Sequence, residues 1–126
     1  YGIEINPLAH EYAVANLALN NINNVIIHRG DVRLVLPTLK GVFDRIVMPL
    51  PKTSTEFLDI VLPRIKKAGI IHLYAFLNEQ DIKAESQRIK AVCKQEGKNV
   101  TILRAVKCGS FSPGIFRVCF DIKVNN

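Results

Sequence analysis

A doubly wound, mostly parallel α/β sheet closed by a C-terminal antiparallel hairpin is the fold class this sequence predicts. Three observations predict it. Short β-branched runs alternate with helix-period segments from Tyr1 to Gly97, the pattern that lays helices on the faces of a parallel sheet. The period changes to two from Val100 onward, in two runs joined by a stretch with Gly and Pro, the pattern of a hairpin. The chain has 126 residues, room for a single domain over 1–126, and neither an internal repeat nor a linker interrupts it.

Each element follows from local chemistry. Tyr1, Ile3 and Ile5 alternate with polar residues as a strand, and Asn6-Pro7 ends it, because proline lacks a donor and suits a first helical turn. From Leu8, apolar positions Leu8, Tyr12, Ala15 and Leu19 mark one helix face until Asn20-Asn21. Val25 to His28 is a short strand, and Gly30-Asp31 turns the chain into a weak helix limited by Pro37. Phe43 to Met48 predicts a strand buried on both faces, stopped by Pro49-Leu50-Pro51. Thr53 or Ser54 with Glu56 resembles an N-cap, and Phe57, Val61 and Ile65 recur as a helix that Pro63 kinks and Gly69 stops. Ile70 to Leu77 is an apolar strand. Asn78 caps a polar helix carrying Ile82, Ile89, Val92 and Cys93, which Gly97 ends. Val100 to Val106 and Ile115 to Val124 are the hairpin strands, with CGSFSPG between them.

Composition narrows the classes. Hydrophobic residues make up 48% and charged residues 22%, which excludes disorder and low complexity. Seventeen Lys and Arg against eleven Asp and Glu give a net charge of +6, which favours polyanionic partners. The longest apolar stretch, Ala68 to Leu77, has ten residues, against about twenty for a membrane span. Three cysteines without CxxC or zinc-ligand spacing predict a reducing, cytoplasmic setting and no structural metal. Tyr1 opens directly into a strand without an initiating methionine, so the chain is expected to be the later part of a longer polypeptide.

In open α/β sheets ligands bind beyond the carboxyl ends of the strands, so candidate site residues are those at strand ends. Glu4 ends the first strand, where a carboxylate can accept from both hydroxyls of a ribose while Ile5 and Asn6 line its flank. Asp31 follows the next strand, placed to accept from an adenine amino group as the Val32 N–H donates to the ring. A surface glutamate and an ordinary helix N-cap fit the same two residues. Pro49, Leu50 and Pro51 form a rigid loop against which a planar base can lie, though a plain strand-ending turn fits equally. His72, inside an apolar strand, is expected to be a hydrogen-bonded core histidine, and Phe111 and Phe116 are expected to pack in the core. Lys66, Lys67, Lys98, Arg104, Lys107, Arg117 and Lys123 offer charge for a phosphate-facing surface.

The segments EINP, RGDV, DRIVMPLPKTSTEFLD, KKAGIIHLYAF and SFSPGIFRVCFDIKV, in this order and spacing, resemble one family over nearly the whole chain. It is similar to the catalytic domain of the archaeal and eukaryotic tRNA (guanine-N1-)-methyltransferases, which modify the base 3′ to the anticodon. Near relatives of these enzymes transfer the aminocarboxypropyl group in wybutosine synthesis. The resemblance implies a Rossmann-like sheet, S-adenosyl-L-methionine as cofactor and tRNA as partner. It implies that Glu4, Asn6 and Pro7 match the acidic-x-Asn-Pro motif that holds the cofactor ribose, with Ile5 also cofactor-binding, and that Asp31 and Val32 match the adenine-binding turn. Pro49, Leu50 and Pro51 would face the methyl group and target guanine; by their charge, Lys52, Lys107 and Arg117 are the residues expected to bind the nucleic acid. A non-catalytic basic RNA-binding module is the alternative from another class. Two departures stand out: Pro49 occupies the place where the family loop commonly has asparagine, and the family's first strand with its Gly-rich turn would precede Tyr1. That strand lies between those ending at Glu4 and Met48. The gap is expected to be closed by direct pairing, by self-association with another copy, or by an upstream segment, and the isolated chain is expected to show no methyl transfer.

Overall fold

The computed structural model describes residues 1–49 and 54–126, in two compact units, Tyr1–Lys40 and Gly41–Asn126. Leu50, Pro51, Lys52 and Thr53 lie outside the described residues.

In the first unit, β1 (Gly2–Glu4) pairs in parallel with β2 (Ile27–Arg29), Ile3 opposite His28 and Glu4 opposite Arg29. Between them runs α1 (Pro7–Leu19), with Pro7 in the first turn and Asn6 as N-cap, its side chain accepting from the Leu8 and Ala9 N–H groups at 3.0 and 3.3 Å. The helix bounds match expectation, but the packed face does not. Ala9, His10, Ala13 and Leu17 are its half-buried residues, whereas Tyr12 is 63% and Leu19 79% exposed. Three-residue strands offer a narrow surface, and alanines four apart let the helix backbone approach it closely. After β2, α2 (Val32–Val35) and a 3₁₀ turn over Leu36–Thr38 bury Leu36 and Leu39.

In the second unit, β3 (Phe43–Met48), β4 (Ile65–Asn78), β5 (Val100–Ser112) and β6 (Ile115–Val124) hydrogen-bond in the order β3-β4-β6-β5. β3 and β4 are parallel and the other pairs antiparallel. α3 (Leu58–Val61) and α4 (Ile82–Gln95) cover one face. The core consists of Leu58 and Leu62, Ile71 and Leu73 of β4, Ile89 and Cys93 of α4, and Val118, Phe120, Ile122 and Val124 of β6, all fully or almost fully buried.

Four expectations are corrected. β3 is not buried on both faces: among the described residues it pairs with β4 alone, Asp44 and Arg45 are exposed, and Val47 is 56% exposed. The helix expected through Phe57, Val61 and Ile65 is a run of short turns, 3₁₀ over Ser54–Phe57, then α3, then 3₁₀ over Leu62–Arg64. Pro63 denies the donor a longer helix needs, and Ile65 already pairs with Phe43, so β4 starts five residues earlier than Ile70. Gly69 is therefore a strand residue. The stretch CGSFSPG is mostly strand as well, since β5 runs to Ser112 and the chain reverses at Pro113-Gly114, where Gly114 takes φ 76°.

Candidate functional site

The parallel β1–β2 pair places Glu4 and Asp31 at one end of its sheet. The Gly30 N–H donates to the Glu4 carbonyl at 2.9 Å, stitching the turn after β2 to the end of β1. Gly30 adopts φ 146°, and a Cβ there would meet Val35 Cγ2 at 2.9 Å, so this turn requires glycine. Glu4 Oε1 accepts from the Asn6 N–H at 2.7 Å, and Asp31 Oδ1 accepts from the Arg33 N–H at 2.8 Å. Each carboxylate is thus oriented through one oxygen, leaving the other as a free acceptor among the described residues. The Val32 N–H lies in the first turn of α2, where helix geometry supplies no acceptor. Ile5 is 66% exposed beside Glu4, an apolar surface next to two acceptors and a donor. The donor set suits a nucleoside: vicinal hydroxyls at Glu4, an amino edge at Asp31, a ring nitrogen at Val32 and an apolar flank at Ile5.

In the second unit, Pro49 follows β3 and is exposed, and Leu50, Pro51 and Lys52 lie outside the described residues. Lys107 is engaged: its ammonium pairs with Glu79 and stands 4.6 Å from the centre of the Phe116 ring. Arg117 is exposed, directly opposite Phe76 in the β4–β6 ladder. The expected basic surface is broken up further, because Lys66 pairs with Asp44 at 2.7 Å and Arg104 pairs with Asp121. Phe111 is exposed rather than packed in the core.

His72 is hydrogen-bonded within the sheet, as expected, in a network that the sequence reading did not foresee. Its Nδ1 meets Asp121 Oδ1 at 2.5 Å, its Nε2 meets Arg45 Nη1 at 2.7 Å, and Arg104 donates to Asp121 Oδ2. Burial pushes the Asp121 carboxyl up, but the hydrogen bonds from Arg104 and His72 outweigh it and hold the group below the usual carboxylate range. The Cys119 thiol is pushed up by burial, and its Sγ lies 3.6 Å from Asp121 Oδ1. The ligand atoms of His72, Cys119 and Asp121 fall within 4.8 Å of one another. Both carboxylate oxygens are already satisfied, however, and two guanidinium groups oppose a further cation, so the arrangement works as a hydrogen-bond network. The signal in the sequence was Asp121 itself, an acid in the otherwise apolar run VCFDI. Cys93, facing the core from α4, has its thiol pushed up to about 11 by burial and is inert as a nucleophile.

Comparisons with known proteins show the family. The model of the TRM5/TYW2 methyltransferase domain matches residues 1–103. The tRNA (guanine(37)-N(1))-methyltransferase Trm5b of Pyrococcus abyssi is 32% identical over 99% of this chain and 37% of its own length. The tRNA(Phe) (4-demethylwyosine(37)-C(7)) aminocarboxypropyltransferase of Methanocaldococcus jannaschii is 32% identical over 98% of this chain and 49% of its own. The crystal structure of M. jannaschii TYW2 in complex with AdoMet superposes with TM-score 0.89 at 31% identity, over 98% of this chain and 56% of that one. This chain therefore spans between about a third and a half of the length of the curated relatives it matches. With a Rossmann-like fold shared with that structure and a family model covering most of its residues, the chain belongs to the TRM5/TYW2 methyltransferase domain family.

Proposed function

We propose that this chain holds the adenosine half of S-adenosyl-L-methionine at the carboxyl ends of β1 and β2 and serves methyl transfer to guanine N1 next to the tRNA anticodon, in the cytoplasm. The observation that carries the proposal is the convergence of Glu4, Ile5, Asp31 and Val32 at one sheet end, each carboxylate fixed by a main-chain N–H. Glu4 Oε2 would accept from the ribose hydroxyls, Asp31 Oδ2 from the adenine amino group, and the Val32 N–H would donate to the ring. The cofactor supplies an electrophilic methyl group when bound. The contribution of these side chains is to hold its nucleoside in one orientation, which lowers the entropic part of an in-line transfer.

A second reading, aminocarboxypropyl transfer from the same cofactor, is favoured by two observations. Relatives of both activities are equally similar to this chain, and Pro49 stands where a loop asparagine would offer a side-chain amide. Calorimetric titration of S-adenosylmethionine into the chain tests the shared part, and absence of binding overturns it. Mass analysis of tRNA nucleosides after incubation with labelled cofactor separates the transfers, because the two added groups differ in mass. A purely RNA-binding module would bind tRNA and ignore the cofactor.

A further inference from the structure

The antiparallel part of the second unit's sheet overshoots its parallel part at the carboxyl end of β3 and β4, the end at which open α/β sheets take ligands. β3 is last paired at Met48 with Leu73, while β4 continues to pair with β6 up to Asn78 with Ile115. The five residues Tyr74 to Asn78 extend β4 by about 16 Å beyond that point, at roughly 3.3 Å per residue. On one face of this overhang the Phe76 ring stacks on that of Phe111, centroids 4.2 Å apart and planes 27° apart, across the intervening strand β6. Arg117 of β6 is the direct cross-strand neighbour of Phe76 and so shares its face. Phe111 is 58% exposed, and Arg117 has no acidic partner among the described residues.

We propose that Phe111, backed by Phe76 and flanked by Arg117, is a platform on which an unpaired nucleobase of the tRNA anticodon loop stacks. The proposal rests on the reading of the partner as tRNA and names a recognition surface for it. Three properties fit a single-stranded RNA loop. An aromatic ring already held by a second ring loses little freedom on stacking a base; an unpaired guanidinium beside it reaches the flanking phosphate; and a chain of net charge +6 attracts a polyanion. A hydrophobic peptide would use the aromatic pair but leave the Arg117 charge without a counterpart.

The test compares binding of a fluorescent anticodon stem-loop RNA with that of a blunt RNA duplex of equal length. Phe111→Ala is expected to weaken stem-loop binding about tenfold and leave duplex binding unchanged, while Phe111→Trp retains affinity. Arg117→Ala is expected to weaken both and to reduce the slope of log affinity against log salt by about one. If Phe111→Ala melts below the assay temperature, Phe111→Leu, which keeps bulk without a π face, carries the same expectation. Unchanged stem-loop affinity, or equal loss on loop and duplex, overturns the platform and leaves Phe111 a packing residue. A chain that binds S-adenosylmethionine yet shows either result loses this proposal alone. A chain that binds neither cofactor nor RNA loses the proposed function with it.

Discussion

His72 and Asp121 stand directly opposite each other in the β4–β6 ladder, with imidazole Nδ1 and carboxylate Oδ1 2.5 Å apart. Arg45 fixes the roles within the pair. A guanidinium can only donate, so His72 Nε2 accepts from Arg45, and the ring proton sits on Nδ1, where it is given to Asp121. Arg104 takes the other carboxylate oxygen. Arg45, His72, Asp121 and Arg104 come from β3, β4, β6 and β5 in turn, so one polar row crosses all four strands of the sheet.

Asp121 is the hub of that row, and removing it leaves a part-buried imidazole N–H without an acceptor. Asp121→Ala is expected to cost about 2 to 3 kcal/mol, since hydrogen bonds to a charged group contribute about 1.5 to 3 kcal/mol and Arg104, largely exposed, recovers water. Urea denaturation measures it. The contrast is Asp44→Ala, which removes a fully exposed pair with Lys66 and is expected to leave the urea midpoint unchanged. Equal midpoints for the two variants would contradict the ranking.

The same hub gives acid sensitivity a definite sign. The Asp121 carboxyl is lowered in the folded state relative to the ordinary value near 3.9, so the unfolded chain takes up its proton first. Its stabilisation is complete above that ordinary value and is lost as pH falls through the lowered folded one. The melting temperature of the native chain should therefore fall more steeply below about pH 4 than that of Asp121→Asn. Parallel pH profiles for the two proteins would exclude Asp121 as the responsible group.

The parts of the fold that were legible in the sequence are those set by local chemistry. Asn6-Pro7 marked the start of α1 because a cap and an N1 proline act within a few residues, and Gly30-Asp31 marked the turn at the end of β2 for the same reason. The helix face of α1 was misread because Leu8, Tyr12 and Leu19 show the right spacing, yet what packs is decided by the width of the strands beneath them. The start of β4 was misplaced because Lys66, Lys67 and Ala68 interrupt its pattern while Ile65 still pairs with Phe43, a contact made across the sheet. Glu4 and Asp31 were found together since parallel strands align their carboxyl ends, whereas the Asp121 row depends on register among four strands, which single-strand patterns do not contain.

The irregular start of β4 makes two neighbouring residues respond with opposite sign. Ala68 adopts φ 64°, a left-handed conformation that costs a residue with a Cβ about 1 to 2 kcal/mol. Ala68→Gly relieves this but gives the unfolded chain more freedom, for a net stabilisation of about 0.5 to 1 kcal/mol. At Gly69, which is buried, a Cβ would lie 2.8 Å from Ile65 Cγ1 and 2.9 Å from the Lys66 carbonyl oxygen, so Gly69→Ala is expected to destabilise by about 1 to 3 kcal/mol. Thermal melts of both variants check the pair, and a shift of the same sign in both would contradict the described backbone at Ala68 and Gly69.

Glu4 does two jobs that mutation can separate. Through Oε1 it holds the Asn6 N–H at 2.7 Å, and Asn6 in turn caps α1, so a loss of affinity in Glu4→Ala has both a chemical and a structural explanation. Asn6, also expected at the ribose, has its side-chain oxygen taken by the Leu8 and Ala9 N–H groups, so Asn6→Ala isolates the structural part: it removes the cap, costs about 1 kcal/mol of stability and leaves the Glu4 carboxylate and its main-chain contact in place. If Glu4 Oε2 accepts from ribose hydroxyls, Glu4→Ala should weaken S-adenosylmethionine binding by about 1.5 to 3 kcal/mol, whereas Asn6→Ala should weaken it far less despite the lost cap. Glu4→Gln, which retains one acceptor oxygen and loses the charge, should fall between them. Calorimetric titration of each variant, with circular dichroism to confirm that α1 remains helical, measures the two effects independently. Equal losses of affinity in Glu4→Ala and Asn6→Ala would mean that Glu4 acts only by shaping the turn, and the ribose role would be withdrawn.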